Sequence, residues 1–246
     1  MLMVIMYHHV DSDDKALSNS PELLCEHFNY IHKRYNVVLP GEKLDAKVLN
    51  ICLTFDDAYF DFYHYVFPLL KEFNLKAVIG VPSHYILEKT ALSPDVRLSL
   101  THNEIYEGEN YLTHAPFCTF EELREMQESG LVEIASHSHQ HLNLSSAGVD
   151  LEQEIIYSKF FLKEKLRHDI STFILPFGKY NETVVKVAKE HYPYVMRIGN
   201  AINRDFSGNN GLIYRVKGDA LKDAKSIFTW KSMSQYYLKF FIKKVF

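Results

Sequence analysis

Two adjacent carboxylates and a cluster of three histidines are the side chains best placed to do chemistry. Asp56 and Asp57 close the apolar run LNICLTF, and Ser136-His137-Ser138-His139-Gln140-His141 follows the run LVEIA. Neighbouring carboxylates at the end of a buried strand are costly unless a cation or hydrogen bonds compensate them. Taken alone, the pair also reads as a helix N-cap, because a helical pattern begins near residue 60. The histidines shift that balance. His137 and His141 are four residues apart, so on a helical turn they share a face and can hold one metal ion. With one of the carboxylates they make a His-His-Asp set that leaves coordination positions open for water and substrate. Such a set suits zinc or another divalent ion (nickel, cobalt, iron or manganese), which ligand types alone do not separate.

Two further elements sit at the ends of apolar runs. Pro176-Phe177-Gly178 follows ISTFIL and by itself is an ordinary turn. Tyr7-His8-His9-Val10 follows the opening apolar run. A lone histidine at a strand end reads as structural. Two together on the rim of a barrel, where catalytic residues gather, carry a functional reading as well.

The elements that must position these groups follow from the pattern of short β-branched runs between longer amphipathic stretches. Runs at 2–7, 36–39, 49–55, 76–81, 131–135, 170–175, 194–198 and 212–216 read as buried strands. Helices are expected near 21–34, 60–73, 119–129, 147–167, 181–191 and 219–229. Pro21 after Ser20, and Thr119 three residues before Glu122, mark two of the helix starts. Continuous apolar strands alternating with helices imply a parallel sheet covered by helices. About eight of them in 246 residues favour an α/β fold of the (β/α)-barrel kind in a single domain. No glycine-rich phosphate loop follows a strand, which counts against nucleotide binding. The one long irregular stretch, 83–118, holds His84, Arg97, His102, Glu104, Tyr106, Tyr111 and His114. It lies on the rim of the candidate site, where it would form a substrate wall or a solvated loop.

Composition narrows the partners. A net charge of −4 offers no electrostatic case for nucleic acid. Cys25, Cys52 and Cys118 are too few and scattered for a disulfide framework or a cysteine zinc site. The start MLMVIMYHHV lacks the charged, longer and cleavable pattern of a secretory leader, so a cytoplasmic location is expected. The tail 226–246 mixes aromatic residues with four lysines. It is expected either to pack as a last helix on the barrel or to make peripheral contact with the inner membrane face.

Thr54-Phe55-Asp56-Asp57, then His137-Ser138-x-x-His141, then Pro176-Phe177-Gly178 resembles the polysaccharide deacetylase family, the NodB-type carbohydrate esterases. The resemblance runs from about residue 2 to 216 and implies a distorted (β/α) barrel, with residues 1–225 as the catalytic domain. It further implies a divalent metal, zinc first, held by Asp57, His137 and His141. Asp56 would be the general base toward the attacking water, the Phe177 backbone N–H an oxyanion donor, and Ser138 a brace for the histidine loop. Pro176, Tyr7 and Tyr59 flank these motifs and are expected to contact substrate. The implied activity is removal of an N-linked acetyl group from an amino sugar in a glycan or precursor. Deacylation or deformylation of a lipid- or nucleotide-linked sugar, and a catalytically silent glycan-binding domain, are the alternatives.

Three departures from the family pattern matter. The family's C-terminal Leu-x-His acid element is missing, since no histidine follows His191. Tyr7-His8-His9-Val10 instead resembles the permuted branch that contains the poly-N-acetylglucosamine deacetylases, which makes His8 the expected general acid and His9 its competitor. Ile174 stands where many relatives have the arginine that orients the base, so Arg215 is the candidate replacement by position. Ala58 replaces the usual glycine after the double Asp, a change expected to be harmless.

Overall fold

The apolar runs become parallel strands that close on themselves. The computed structural model describes residues 1–11 and 17–245. Its strands are β1 (Leu2–Tyr7), β2 (His9–Val10), β3 (Ser18–Asn19), β4 (Asn36–Val37), β5 (Asn50–Phe55), β6 (Ala77–Val81), β7 (Val132–Ser136), β8 (Thr172–Ile174), β9 (Tyr194–Ile198) and β10 (Ile213–Lys217). The order β1-β10-β9-β8-β7-β6-β5 is completed by a β1–β5 ladder, giving a barrel of seven parallel strands. Short β4 joins only the start of β5, pairing Asn36 with Asn50 and Val37 with Ile51. The β7–β8 seam rests on a single register pair, Ser136 with Phe173. These two irregularities distort the barrel.

Strands buried on both faces explain the unbroken apolar runs. Leu2, Val4, Cys52, Val78, Ala135, Ile174, Met196 and Ile213 fill the barrel. Met3, Ile5, Tyr7, Ile51, Leu53 and Phe55 face the surrounding helices. Because side chains alternate along a strand, the inward phase of β1, β5, β7 and β10 runs on to His8, Asp56, His137 and Arg215. That arithmetic brings four chemically able side chains to one mouth of the barrel.

The helices are α1 (Pro21–His32), α2 (Phe67–Phe73), α3 (Pro94–Arg97), α4 (Asn110–Thr113), α5 (Phe120–Glu128), α6 (Ser158–Leu166), α7 (Glu182–His191) and α8 (Trp230–Val245). Ser20 caps α1 by accepting from the Leu23 N–H, with Pro21 at its first position, and Thr119 with Glu122 forms a capping box on α5. The helices expected at 60–73 and 147–167 each contain a π-helical turn, Phe62–Val66 and Glu152–Tyr157, ahead of the α-helical part.

Two expectations need correction. No helix forms at 219–229 beyond a single 3-10 turn at Ser226–Phe228. The backbone there is held elsewhere: Ala220 N–H donates to Ser18 O and Leu221 N–H to Asn19 Oδ1. The last helix starts instead at Trp230. Its Met233, Tyr236 and Phe240 pack on the core, and Phe246 lies outside the described residues. Nor is 83–118 irregular throughout, since it contains a 3-10 turn at Ser83–Tyr85 and both α3 and α4. Buried Arg97 pins it, with two hydrogen bonds to Glu122 and others to Ala115 O and Phe117 O. Among the described residues no helix is long and apolar enough to cross a membrane.

Candidate active site

Asp57, His137 and His141 offer ligand atoms that all lie within 4.8 Å of one another. His141 Nε2 is 3.1 Å and His137 Nε2 3.5 Å from Asp57 Oδ1. His137 Nδ1 lies 2.9 Å from Ile174 O, a carbonyl that can only accept, so Nδ1 carries the proton and Nε2 keeps its lone pair. Burial pushes the His137 pKa down to about 4, so the ring is neutral at neutral pH, as a ligand must be. Asp57 is held well below the usual carboxylate range: burial opposes this, but His141, His137, His8 and the Tyr106 hydroxyl outweigh it. One carboxylate and two imidazoles with open positions form a donor set that fits one divalent transition ion.

The backbone that presents these ligands is strained. Asp57 (φ 70°), Ala58 (φ 53°), Ser138 (φ 67°), His141 (φ 55°) and Phe177 (φ 55°) are all left-handed. Ser138 Oγ accepts from the His141 N–H at 3.0 Å, and buried Glu154 accepts from the N–H groups of His139 and Gln140. Ala58 is therefore not a neutral replacement for glycine, because a β-carbon in that region costs roughly 1–2 kcal/mol.

Beside the ligand set, Arg215 donates to both Asp56 oxygens, Nη1 to Oδ1 at 2.5 Å and Nη2 to Oδ2 at 2.8 Å. Both residues are buried. Burial raises the Asp56 pKa, yet Arg215, His137 and His8 bring it below the usual value. Taking one partner from such a buried pair typically costs about 3–5 kcal/mol because the other charge is left uncompensated, so losing Arg215 alone would lower stability as well as disturb the charge of Asp56. His8 Nε2 lies 3.7 Å from Asp56 Oδ2. The other side of the ring is held by Asp219, which accepts from the His8 backbone N–H at 2.9 Å and meets Nδ1 at 2.8 Å. Burial works against a charged ring, but the bond to Asp219 and the fields of Asp219, Asp56 and Asp57 raise the His8 pKa to about 9. His8 is thus an imidazolium at neutral pH. Asp219 was not identified from sequence, where its only signal is an acid just past β10. Gly218 lets it in: a β-carbon there would sit 2.4 Å from the Tyr7 ring.

His9 faces the other way. Its Nδ1 is 2.9 Å from Asp61, its Nε2 3.0 Å from His102, and its ring stacks on Tyr59 at 3.7 Å. His139 is likewise a satisfied structural group, bonded to Ser83.

The three expected substrate contacts are corrected. Tyr7 takes the outward phase of β1 and is fully buried, its hydroxyl 2.7 Å from His27 Nε2. Tyr59 is 2% exposed and sandwiched among His9 and Phe117. Pro176 is buried. What the site presents to solvent is the Phe177 ring, 55% exposed and 4.6 Å from the His141 ring. The turn that carries it is closed by the Gly178 N–H on Leu175 O and the Lys179 N–H on Pro176 O.

Of the seven residues singled out in 83–118, Tyr106 reaches the site. Its hydroxyl donates to Asp57 Oδ1 at 2.8 Å and its ring stacks on His141 at 5.0 Å. Partners of this kind orient ligands, and their loss typically weakens metal affinity about 10–100-fold. Tyr106→Phe is expected to show that weakening in a chelator competition titration with zinc; unchanged affinity would reject the role.

The polysaccharide deacetylase family matches residues 43–195, more than half of the chain. Asp56, Asp57, His137, His141 and Phe177 lie inside that span, whereas His8, Arg215 and Asp219 lie outside it. The chain is 26% identical over 198 residues to YxkH of Bacillus subtilis, covering 77% of this chain and 61% of that protein. It is 28% identical over 231 residues to the poly-beta-1,6-N-acetyl-D-glucosamine N-deacetylase of Escherichia coli, covering 76% of this chain and 32% of that one. It thus spans less than two thirds of either relative. The fold is shared with the Streptococcus pyogenes deacetylase PplD in complex with acetate, at a TM-score of 0.74 and 22% identity over 94% of this chain and 97% of that one.

Proposed function

The chain belongs to the polysaccharide deacetylase family, and from that premise we propose that it hydrolyses the N-linked acetyl group of an amino sugar in a glycan or glycan precursor. The observation that carries the proposal is the pairing of an ionised carboxylate, Asp56, with a protonated imidazole, His8, beside the Asp57-His137-His141 donor set. Amide hydrolysis requires a base for the attacking water and an acid for the departing amine. Two groups of opposite protonation state at one mouth meet that requirement.

A divalent cation held by Asp57, His137 and His141 would supply Lewis acidity, polarising the acyl carbonyl and acidifying water. Asp56 takes the proton of the attacking water, with Arg215 fixing both carboxylate oxygens. The Phe177 N–H, in its left-handed turn, donates to the oxygen that gains charge as the carbonyl carbon becomes tetrahedral. His8 donates its Nε2 proton to the nitrogen as the C–N bond breaks, and Asp219 stabilises the charged ring before that transfer. Acetate and a free amine leave. The exposed Phe177 ring offers an apolar surface to a sugar face.

Removing metal with a chelator is expected to abolish acetate release from N-acetylated sugars, and adding back zinc, nickel, cobalt, iron or manganese to restore it to differing degrees. Full activity in protein shown by elemental analysis to be metal-free would reject the cation's role. Stoichiometric metal with no acetate or formate released from monomeric or polymeric substrates would point to a glycan-binding protein instead.

A further inference from the structure

Helix α8 packs by one face and leaves a second apolar face outward. Met233, Tyr236 and Phe240 lie against the core. Turned away from them are Trp230, Leu238, Phe241 and Ile242, which are 85%, 61%, 61% and 50% exposed, with Tyr237 beside them. At 3.6 residues per turn, positions 230, 237, 238, 241 and 242 fall on one side of the helix, with exposed Ser234 between Trp230 and the other four. Five large apolar side chains sharing one side of a helix differ from the scattered single ones found on any soluble surface, and a patch of this kind marks a binding site.

Charge decides what would cover it. Residues 226–246 hold four lysines (231, 239, 243 and 244) and no Asp or Glu, in a chain whose net charge is −4. The rest of the molecule therefore carries eight more acidic than basic residues. A second copy docking stripe to stripe would bring like-charged lysines together. An anionic lipid surface would instead receive the apolar stripe among its acyl chains and the exposed Lys231 and Lys239 ammonium groups at its headgroups. The tryptophan at the start of the helix is a residue type enriched at that boundary.

We propose that α8 is an interfacial anchor that lays this protein on an anionic bilayer. The last turns of the helix meet Asn209 and Tyr214, where Asn209 Nδ2 donates to Lys243 O and the Lys243 ammonium lies 4.2 Å from the centre of the Tyr214 ring. Tyr214 is at the start of β10, whereas Asp56 and His137 follow the ends of parallel strands β5 and β7. The anchor thus joins the barrel near the end opposite the catalytic mouth, which leaves that mouth open to glycan in water.

Trp230 is the chain's single tryptophan, so its fluorescence reports on the helix directly. The full chain is expected to sediment with vesicles of phosphatidylcholine and phosphatidylglycerol, with a blue shift of Trp230 emission, and to bind pure phosphatidylcholine vesicles more weakly by about tenfold or more. Leu238→Ser with Phe241→Ser, and separately Lys231→Glu with Lys239→Glu, should each weaken anionic-vesicle binding about tenfold or more without changing the melting temperature. No binding and no blue shift would overturn the proposal, as would equal binding to neutral vesicles. A lipid-free dimer dispersed by Leu238→Ser with Phe241→Ser would assign the stripe to a second copy instead.

Discussion

Asp56→Asn is expected to lower turnover by about 10²–10⁴-fold, the range associated with loss of a general base, while the protein still binds one metal ion. The amide keeps the shape of the side chain but cannot take a proton from water. Metal content should be spared because the donor set is Asp57, His137 and His141. The variant also leaves Arg215 buried opposite a neutral partner, which by itself costs roughly 3–5 kcal/mol, so its melting temperature should fall. The double variant Asp56→Asn with Arg215→Met separates the two effects. Replacing both members of a buried pair is often nearly neutral for stability, so melting should recover while turnover does not. Turnover near wild type in a folded Asp56→Asn protein would sink the base assignment.

His8→Ala should be nearly as damaging, within the same range of about 10²–10⁴-fold, whereas His9→Ala should stay within about threefold of wild type, because its buried ring is turned to Asp61 and His102 and takes no part in proton transfer. The adjacent residues differ only in strand phase: His8 faces Asp56, and His9 stacks on Tyr59 with Asp61 and His102 as partners. The reverse result would exchange their roles. The pH profile gives a second handle. The His8 pKa is raised to about 9, so its acid form is present below that pH and is lost as pH rises through it. An alkaline limb in the rate should follow, and a bound cation, being positive, moves that limb downward. Asp219→Asn removes the largest charge that raises the His8 pKa and turns one of the two oxygens that meet His8 into a donor amide, so it should move the limb to lower pH and reduce the neutral rate. An unshifted limb would mean that His8 is not the group titrating.

The match between these assignments and the sequence is uneven for physical reasons. The motif residues Asp56, Asp57, His137 and His141 were legible because metal and base chemistry demand particular side chains at fixed spacings. Barrel class was legible because parallel strands buried on both faces must be apolar throughout. The substrate contacts were read less well. Tyr7, Tyr59 and Pro176 sit beside the motifs in the chain but are buried by neighbours distant in sequence, and Phe177, expected only to lend its N–H, is the ring that is exposed. His139 carries the same side chain as its neighbours at 137 and 141, yet a bond to Ser83 occupies it. Ala58 looked neutral until its left-handed backbone was known.

What the sequence determined alone was therefore the inventory and part of its phase: most of the barrel strands, the side chains able to do chemistry, and, by alternation along β1, that His8 and His9 point to opposite faces; that His8 is the one turned toward Asp56 came from the closed barrel. Tertiary structure decided the partners. Arg215, a candidate by position alone, is 159 residues from Asp56, Asp219 is 211 from His8, and Tyr106, one of seven residues singled out in its segment, is the one that reaches Asp57. Each pairing exists only because the barrel closes through β1, β5 and β10. A residue's type and its strand phase are local properties of the chain, whereas a hydrogen-bond partner across the mouth is a property of closure.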